Sequence, residues 1–120
     1  MSYEGDIKLG RKLNFHFTTR NTTPVPTKLD GSPVISVYKD DGTSKITTGI
    51  SLSVDFDSKT GLNRLSVDTG AHSFYVKKTD YMLVITTGTV GGNSVIGEVV
   101  GTFSIENRHI KAISRGGRYG

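Results

Sequence analysis

The sequence contains no cysteine and no tryptophan, and only three of its 120 residues are proline. Without cysteine, the chain can form neither a disulfide framework nor a thiolate metal site, and it has no thiol nucleophile. It also lacks any run of about 18 apolar residues, the length that a membrane-spanning helix requires, so we expect no membrane partner. Residues 1–6 are polar with no apolar run behind them, so we expect no signal peptide and synthesis in a cytoplasm.

Net charge is also absent from most of the chain. Residues 1–106 hold 11 of the 15 Lys and Arg together with all 11 Asp and Glu, so this part is formally neutral. Residues 107–120 hold the remaining four basic residues and no acidic one, which accounts for the whole net charge of +4. A neutral body is not typical of a nucleic-acid-binding surface, so we do not expect nucleic acid as its partner. The composition instead predicts a folded body and a basic tail that contacts something else.

Apolar residues recur at every second position through most of the chain, which is the period of a β-strand with one buried face. The clearest alternation runs from Val95 to Ile105 and predicts an eleven-residue strand with Gly97 and Gly101 on its core face. Glycine at such a position leaves room for a large neighbour or marks a bend. The other alternating runs are Leu13–Phe17, Ile35–Val37, Ile50–Phe56, Leu65–Val67 and Tyr81–Ile85.

Turn residues separate these runs. Asp41-Gly42 predicts a tight hairpin, and Gly91-Gly92-Asn93 predicts the turn before the last strand. About eight short strands, spaced ~8–12 residues apart, predict an all-β fold: an antiparallel two-sheet sandwich, Ig-like or jelly-roll-like. The predicted organisation is an N-terminal arm over 1–12, a β-sandwich domain over 13–106 and a basic C-terminal arm over 107–120.

The residue types common in catalytic and metal sites, such as histidine and serine, form no recognisable catalytic motif here. His16, His72 and His109 share no ligand spacing, so we interpret them as solvent-facing or interface residues. The sequence has no serine-nucleophile elbow and no phosphate-binding loop. We therefore predict no enzyme activity, no metal and no cofactor.

The segment 55–61 superficially resembles a calcium loop, because its carboxylates alternate and a glycine follows. It lacks a third acidic ligand and a closing Glu, and Lys59 places a cation inside it. Calcium requires six to eight oxygen ligands, about twice what this segment offers. We interpret the segment as an Asx-type turn that ends at Gly61.

Seven runs of the sequence together form a recognisable pattern: 15–20 (FHFTTR), 31–40 (GSPVISVYKD), 48–57 (TGISLSVDFD), 60–63 (TGLN), 80–81 (DY), 87–90 (TGTV) and 103–108 (FSIENR). They resemble a family of small β-rich proteins that tailed-bacteriophage genomes encode, most of whose members have no assigned function. The resemblance covers residues 13–108 and gives no catalytic motif to transfer. It implies a virion component with a β-sandwich body. The pattern ends near Asn107-Arg108, so it does not explain the basic tail.

The expected function is therefore structural. We expect a capsid cement or decoration protein of a tailed-phage virion, which docks by its sandwich and terminal arms on major capsid, tail or neck subunits. A place in the neck, tail or baseplate is the alternative, and a homo-oligomer is expected in either case. Tail cations should face acidic or carbonyl-rich surface on another subunit. The residues predicted to bind the partner are Arg108, Lys111, Ile113, Arg115, Arg118 and Tyr119.

Other functions stay open at this stage. A receptor- or carbohydrate-binding module of a tail fibre would use exposed aromatic side chains, and the candidates are Tyr38, Phe74, Tyr75 and Tyr81. A nucleic-acid contact through the tail would depend on four charges and one stacking ring. A small enzyme would need a nucleophile beside a base, and the sequence shows no such pair.

Overall fold

The predicted all-β fold is confirmed by a computed structural model, which describes residues 2–40 and 42–106. Within those ranges the chain forms nine strands and one turn of 3-10 helix, arranged as two packed sheets. The strands are β1 (Ser2–Ile7), β2 (Lys12–Thr18), β3 (Leu29–Lys39), β4 (Lys45–Ile46), β5 (Ile50–Ser53), β6 (Leu62–Asp68), β7 (Thr79–Val90), β8 (Asn93–Ser94) and β9 (Val99–Ile105), and the 3-10 turn is Phe56–Ser58.

The two sheets are unequal in width. The larger one has six strands in the order β1-β9-β7-β3-β4, with β8 paired to β7, and the smaller one has three strands in the order β2-β6-β5. All pairings are antiparallel except that of β1 with β9. Residues 2–7, which lie in the segment predicted to be an arm, therefore form a strand of the larger sheet. Their sequence does not show this, because the pairing uses backbone groups and residues 2–6 have no apolar alternation.

Apolar alternation places the core between the sheets, as predicted. In the smaller sheet, Leu13 and Phe15 of β2 and Leu65 and Val67 of β6 are buried. They pack with buried residues of the larger sheet, namely Leu29, Ile35, Val37, Tyr81, Leu83, Ile85, Val90, Val100, Phe103 and Ile105. Side chains at the intervening positions of β2 and β6 point away from this core, so the smaller sheet has a polar outer face.

The two glycines predicted on the last strand have different roles. A Cβ on Gly101 would lie 2.7 Å from Cδ2 of Phe15, so this glycine makes room for the phenyl ring. Gly97 has a φ of +99° and donates its N–H to the Ile85 carbonyl at 2.9 Å. Because the backbone bends at Gly97, the regular strand starts only at Val99 and is shorter than the predicted 95–105.

Both predicted hairpins are present. Val37 pairs with Ile46 and Tyr38 with Lys45, which joins β3 to β4 around the Asp-Gly sequence. Val90 pairs with Asn93 across the two glycines at 91 and 92, which joins β7 to the short β8. The hairpin positions were therefore predicted correctly, but Asn93 belongs to β8 rather than to the turn, and the second hairpin leads into β8 rather than directly into the last strand.

Aromatic rings close one end of the sandwich, where β2 begins. Tyr81 stacks on Phe103 with 5.0 Å between ring centroids, and Tyr75 packs 5.7 Å from Tyr81. The Tyr81 hydroxyl donates to the Phe74 carbonyl at 2.9 Å and accepts the Val76 N–H at 2.7 Å. The Tyr75 hydroxyl donates to the carbonyl of Thr48 at 2.8 Å. These bonds satisfy the buried hydroxyls and fix the 71–78 loop over the core.

Burial also changes the acidity of these two tyrosines. Desolvation raises the pKa of Tyr75 to about 12, with a smaller contribution from the neighbouring Tyr81. Burial raises the pKa of Tyr81 as well, in part offset by its hydrogen bond with Val76. Both phenols are therefore neutral hydrogen-bonding groups of the closed end at physiological pH.

Candidate functional site

The six residues predicted to bind a partner all lie outside the described residues, so that assignment stays a prediction. They are Arg108, Lys111, Ile113, Arg115, Arg118 and Tyr119. The described chain ends at Glu106, whose N–H donates to the Ile7 carbonyl at 2.9 Å. A Glu106 carboxylate oxygen accepts the Leu9 N–H at 3.2 Å, so residue 106 sits beside the turn between β1 and β2.

The histidines do not converge. The His16 ring is exposed and lies 5.7 Å from the Phe56 ring, whereas His72 accepts the Phe74 N–H through Nδ1 at 2.9 Å in the 71–78 loop. His109 lies outside the described residues. Over residues 2–40 and 42–106, no group of three or more His, Asp or Glu side chains could hold a metal ion.

The calcium-like segment 55–61 is a hydrogen-bonded turn, as interpreted from the sequence. Oδ1 of Asp55 accepts the Gly61 N–H at 3.0 Å, and Lys59 pairs with Asp57 at 3.6 Å. Asp55, Asp57 and Ser58 have φ between +52° and +58°, which L-residues adopt only when the surroundings require it. The carboxylate of Asp55 is therefore used to hold the turn rather than directed toward a ligand.

The four aromatic residues considered for a glycan-binding surface are either buried or in contact with a lysine. Tyr75 and Tyr81 are each only 2 % exposed, so neither offers a face for stacking. Phe74 and Tyr38 are partly exposed, but Lys39 Nζ lies 5.0 Å from the Phe74 ring centre and Lys45 Nζ lies 5.4 Å from that of Tyr38. Stacking on these rings would have to displace a cation–π contact.

The opposite end of the sandwich, where β2 finishes, is open. A cavity of about 510 Å³ lies there, between the end of β2 and the segment 95–100. Its apolar lining is Phe17, Ile85, Val90, Val95, Val99 and Val100. Its polar lining is His16, Thr18, Thr19, Arg20 and Glu98. The apolar part of this lining is core surface that is left uncovered at this end of the sandwich.

The edge of β2 next to this cavity carries unpaired backbone groups. Two hydrogen bonds fix the ladder: the Thr69 N–H donates to the Arg11 carbonyl at 3.2 Å, and the Thr19 N–H donates to the Gly61 carbonyl at 2.9 Å. Because antiparallel ladders alternate, the odd-numbered residues of β2 bond to β6 and the even-numbered ones point to the other side. In the described part of the chain, no strand pairs with β2 on that side. The backbone groups at this edge belong to Lys12, Asn14, His16 and Thr18.

A second surface lies on the outer face of the smaller sheet. Oδ1 of Asn14 accepts from Nη2 of Arg64 at 3.0 Å and from the Ser66 hydroxyl at 2.8 Å. The Arg64 guanidinium also lies over the Phe56 ring, 5.5 Å from its centre. The sequence pattern placed Asn14 on the polar face of its strand but wrongly placed Phe56 on the apolar face of a strand over 50–56, because β5 ends at Ser53 and the 3-10 turn carries Phe56 to the outer face. The cluster itself depends on the register that sets Asn14 opposite Ser66.

Comparison of the chain with protein-family models, with curated proteins and with solved structures finds no significant match. None of the described residues belongs to a helix that is long and apolar enough to cross a membrane. Function is therefore inferred from the sequence and from two surfaces, the β2 edge with its cavity and the outer face of the smaller sheet.

Proposed function

We propose that the chain is a structural protein of a tailed-bacteriophage particle, and that it acts as a capsid cement or decoration protein. The observation that carries this proposal is the open edge of β2 beside a cavity whose lining is about half apolar. An unpaired strand edge is a ready template for a strand from another chain. In the proposed particle, a segment of a neighbouring subunit adds to the smaller sheet at β2.

The geometry gives such a contact both affinity and specificity. Backbone groups at the even positions of β2 would bond to the added strand, and each such bond contributes about 0.5–1.5 kcal/mol net. Alternate side chains of the added strand would then cover Phe17, Val95 and Val99, which are only partly buried. Main-chain bonds supply affinity in this recognition mode, and the pockets for alternate side chains supply selectivity.

The sequence supports the same role in two ways. The resemblance over residues 13–108 is to proteins encoded by tailed phages, and the basic tail follows Glu106, which lies beside the β1–β2 turn. In this proposal, the tail is a second contact that holds the protein on the particle, with other copies or with capsid subunits as its partners. A position at the neck, tail or baseplate would use the same contacts.

Incorporation into particles tests the proposal. Variants would be supplied in place of the native chain during growth of the encoding phage, and purified particles would be assayed for the protein. His16→Pro removes one edge N–H and leaves the ladder to β6 intact, since even positions do not bond to β6. His16→Ala is the matched control, because it shortens the same side chain and keeps that N–H.

We expect His16→Pro to lower incorporation strongly and His16→Ala to leave it near the native level. Deletion of 107–120 should also lower incorporation while the body remains folded. Equal incorporation of the Pro and Ala variants would show that the β2 edge is not the contact. Absence of the native protein from purified particles would overturn the structural role itself.

A further inference from the structure

We propose that the outer face of the smaller sheet binds an acidic saccharide, with Arg64 as the residue that recognises its carboxylate. This surface uses the side chains of Lys12 and Asn14, whereas the β2 edge uses their backbone groups, and the inference stands independently of the proposed role in a particle. Its basis is a positioned guanidinium on a face rich in hydroxyl groups.

Arg64 is held in place from two directions. Nη2 donates to the side-chain oxygen of Asn14 at 3.0 Å, and the guanidinium lies over the Phe56 ring at 5.5 Å. The Ser66 hydroxyl, which bonds to the same Asn14 oxygen at 2.8 Å, fixes the amide in turn. A guanidinium that is already oriented loses less side-chain freedom when it binds a ligand.

The guanidinium has no carboxylate partner among the described residues. The ion pairs found there within 4.0 Å join Lys59 to Asp57 and Lys77 to Glu106, and neither involves Arg64. Among residues 2–40 and 42–106 its side chain makes one hydrogen bond, to Asn14, and its other N–H donors are directed to no described residue. Arginine donors in this fork arrangement match the two oxygens of a carboxylate.

The surroundings favour a sugar over a simple anion. A shallow cavity of about 470 Å³ covers this face, and its polar lining is Lys12, Asn14, Ser51, Arg64, Ser66 and Asp68. Asp68 would repel a ligand with several negative charges, but its carboxylate can accept from neutral hydroxyl groups. Serine hydroxyls and the Asn14 amide N–H can bond to further hydroxyls. Lys12 and Arg64 against Asp68 leave this lining one net positive charge, which matches the single carboxylate of a uronic acid, and the hydroxyl and amide groups around it match the sugar hydroxyls.

Titration of the isotope-labelled protein with glucuronate, glucose and inorganic phosphate tests the inference by nuclear magnetic resonance. We expect saturable shifts with glucuronate, centred on the amides of residues 14, 51, 64 and 66. Glucose, which lacks the carboxylate, and phosphate, which lacks the ring hydroxyls, should each bind at least about tenfold more weakly, which is a loss of about 1.4 kcal/mol.

Two variants make the test specific. Arg64→Lys keeps the charge but loses the fork, and should weaken glucuronate binding about tenfold. Arg11→Lys is the matched control, because Arg11 is exposed in the β1–β2 turn and lies outside the cluster. Tyrosine circular dichroism would verify that both variants keep the native fold.

Each remaining outcome would overturn the inference. Absence of saturable glucuronate binding would show that this face is not a saccharide site. Equal weakening by the Arg64 and Arg11 substitutions would show that only overall charge is sensed. Phosphate binding as tight as glucuronate binding would reduce the face to a general oxyanion site without sugar recognition.

Discussion

At the end of the sandwich where β2 begins, aromatic rings fill the space between the sheets; at the end where β2 finishes, that space is open. The closed end is fixed by hydroxyl bonds from Tyr75 and Tyr81 to backbone groups of loops. At the open end Phe17, Val95 and Val99 are only partly buried, although the neighbouring Ile85, Val90 and Val100 are buried. We infer that the closed end contributes most to stability, and that the open end, with the adjoining β2 edge, is the part available to a partner.

The largest loss of stability should come from Tyr81→Ala. This change removes a ring that stacks on Phe103 and leaves a cavity, so we expect a loss of about 3–5 kcal/mol. Tyr81→Phe keeps the ring but leaves the Val76 N–H without its partner, and should cost about 1–3 kcal/mol. Urea unfolding measures both. A loss below ~1 kcal/mol for Tyr81→Ala would show that the closed end is not the stable one.

Gly101→Ala should be the next most harmful change. The added Cβ would meet the Phe15 ring at 2.7 Å, and overpacking of this kind costs about 1–3 kcal/mol. Phe15→Leu in the same chain should recover part of that loss, because it removes the clashing ring atoms. Gly70→Ala is the control, since its Cβ would have no neighbour closer than 3.4 Å. Additive effects of the two changes at 101 and 15 would contradict this explanation.

Alkaline pH should weaken the closed end. The pKa of Tyr75 is about 12 in the folded chain and 10.0 as the ordinary value, so above pH 10 the unfolded chain loses the proton first. Stability from this group is therefore complete below pH 10 and declines as pH rises toward 12, by on the order of 2 kcal/mol. Urea midpoints from pH 9 to 12 measure the decline. Tyr75→Phe should flatten it, and an unchanged slope in that variant would assign the effect elsewhere.

The smallest effect on stability should come from the open end. Val95 is only partly buried, so Val95→Ser should cost about 1 kcal/mol or less. If the cavity receives a partner, the same change should lower incorporation into particles clearly more than it lowers the urea midpoint. If incorporation fell only in proportion to stability, Val95 would have no separate role in binding a partner, and the proposed difference in function between the two ends would be wrong.

Period-2 alternation was enough to predict the strands that build the core, because burial of one face determines which residues alternate. It could not show that β1 pairs with β9, since that pairing depends on backbone groups. It also could not show the bend at Gly97, which follows from a positive φ that a glycine permits but does not require.

The candidate surfaces were less predictable than the core. The open edge of β2 follows from the strand order β2-β6-β5, and no local pattern in the sequence encodes that order. The Arg64 cluster joins residues from β2, β6 and the 3-10 turn, which are about fifty residues apart in the sequence at most. The predicted tail contacts lie outside the described residues and stay predictions.

The proposal that this chain is part of a phage particle is tested most directly by electron cryomicroscopy of purified particles. We expect density for this chain on the particle, with an extended segment of another polypeptide about 4.8 Å from the β2 edge, alongside residues 12–18. Particles that lack the chain, or that carry it with solvent alongside that edge, would contradict the account.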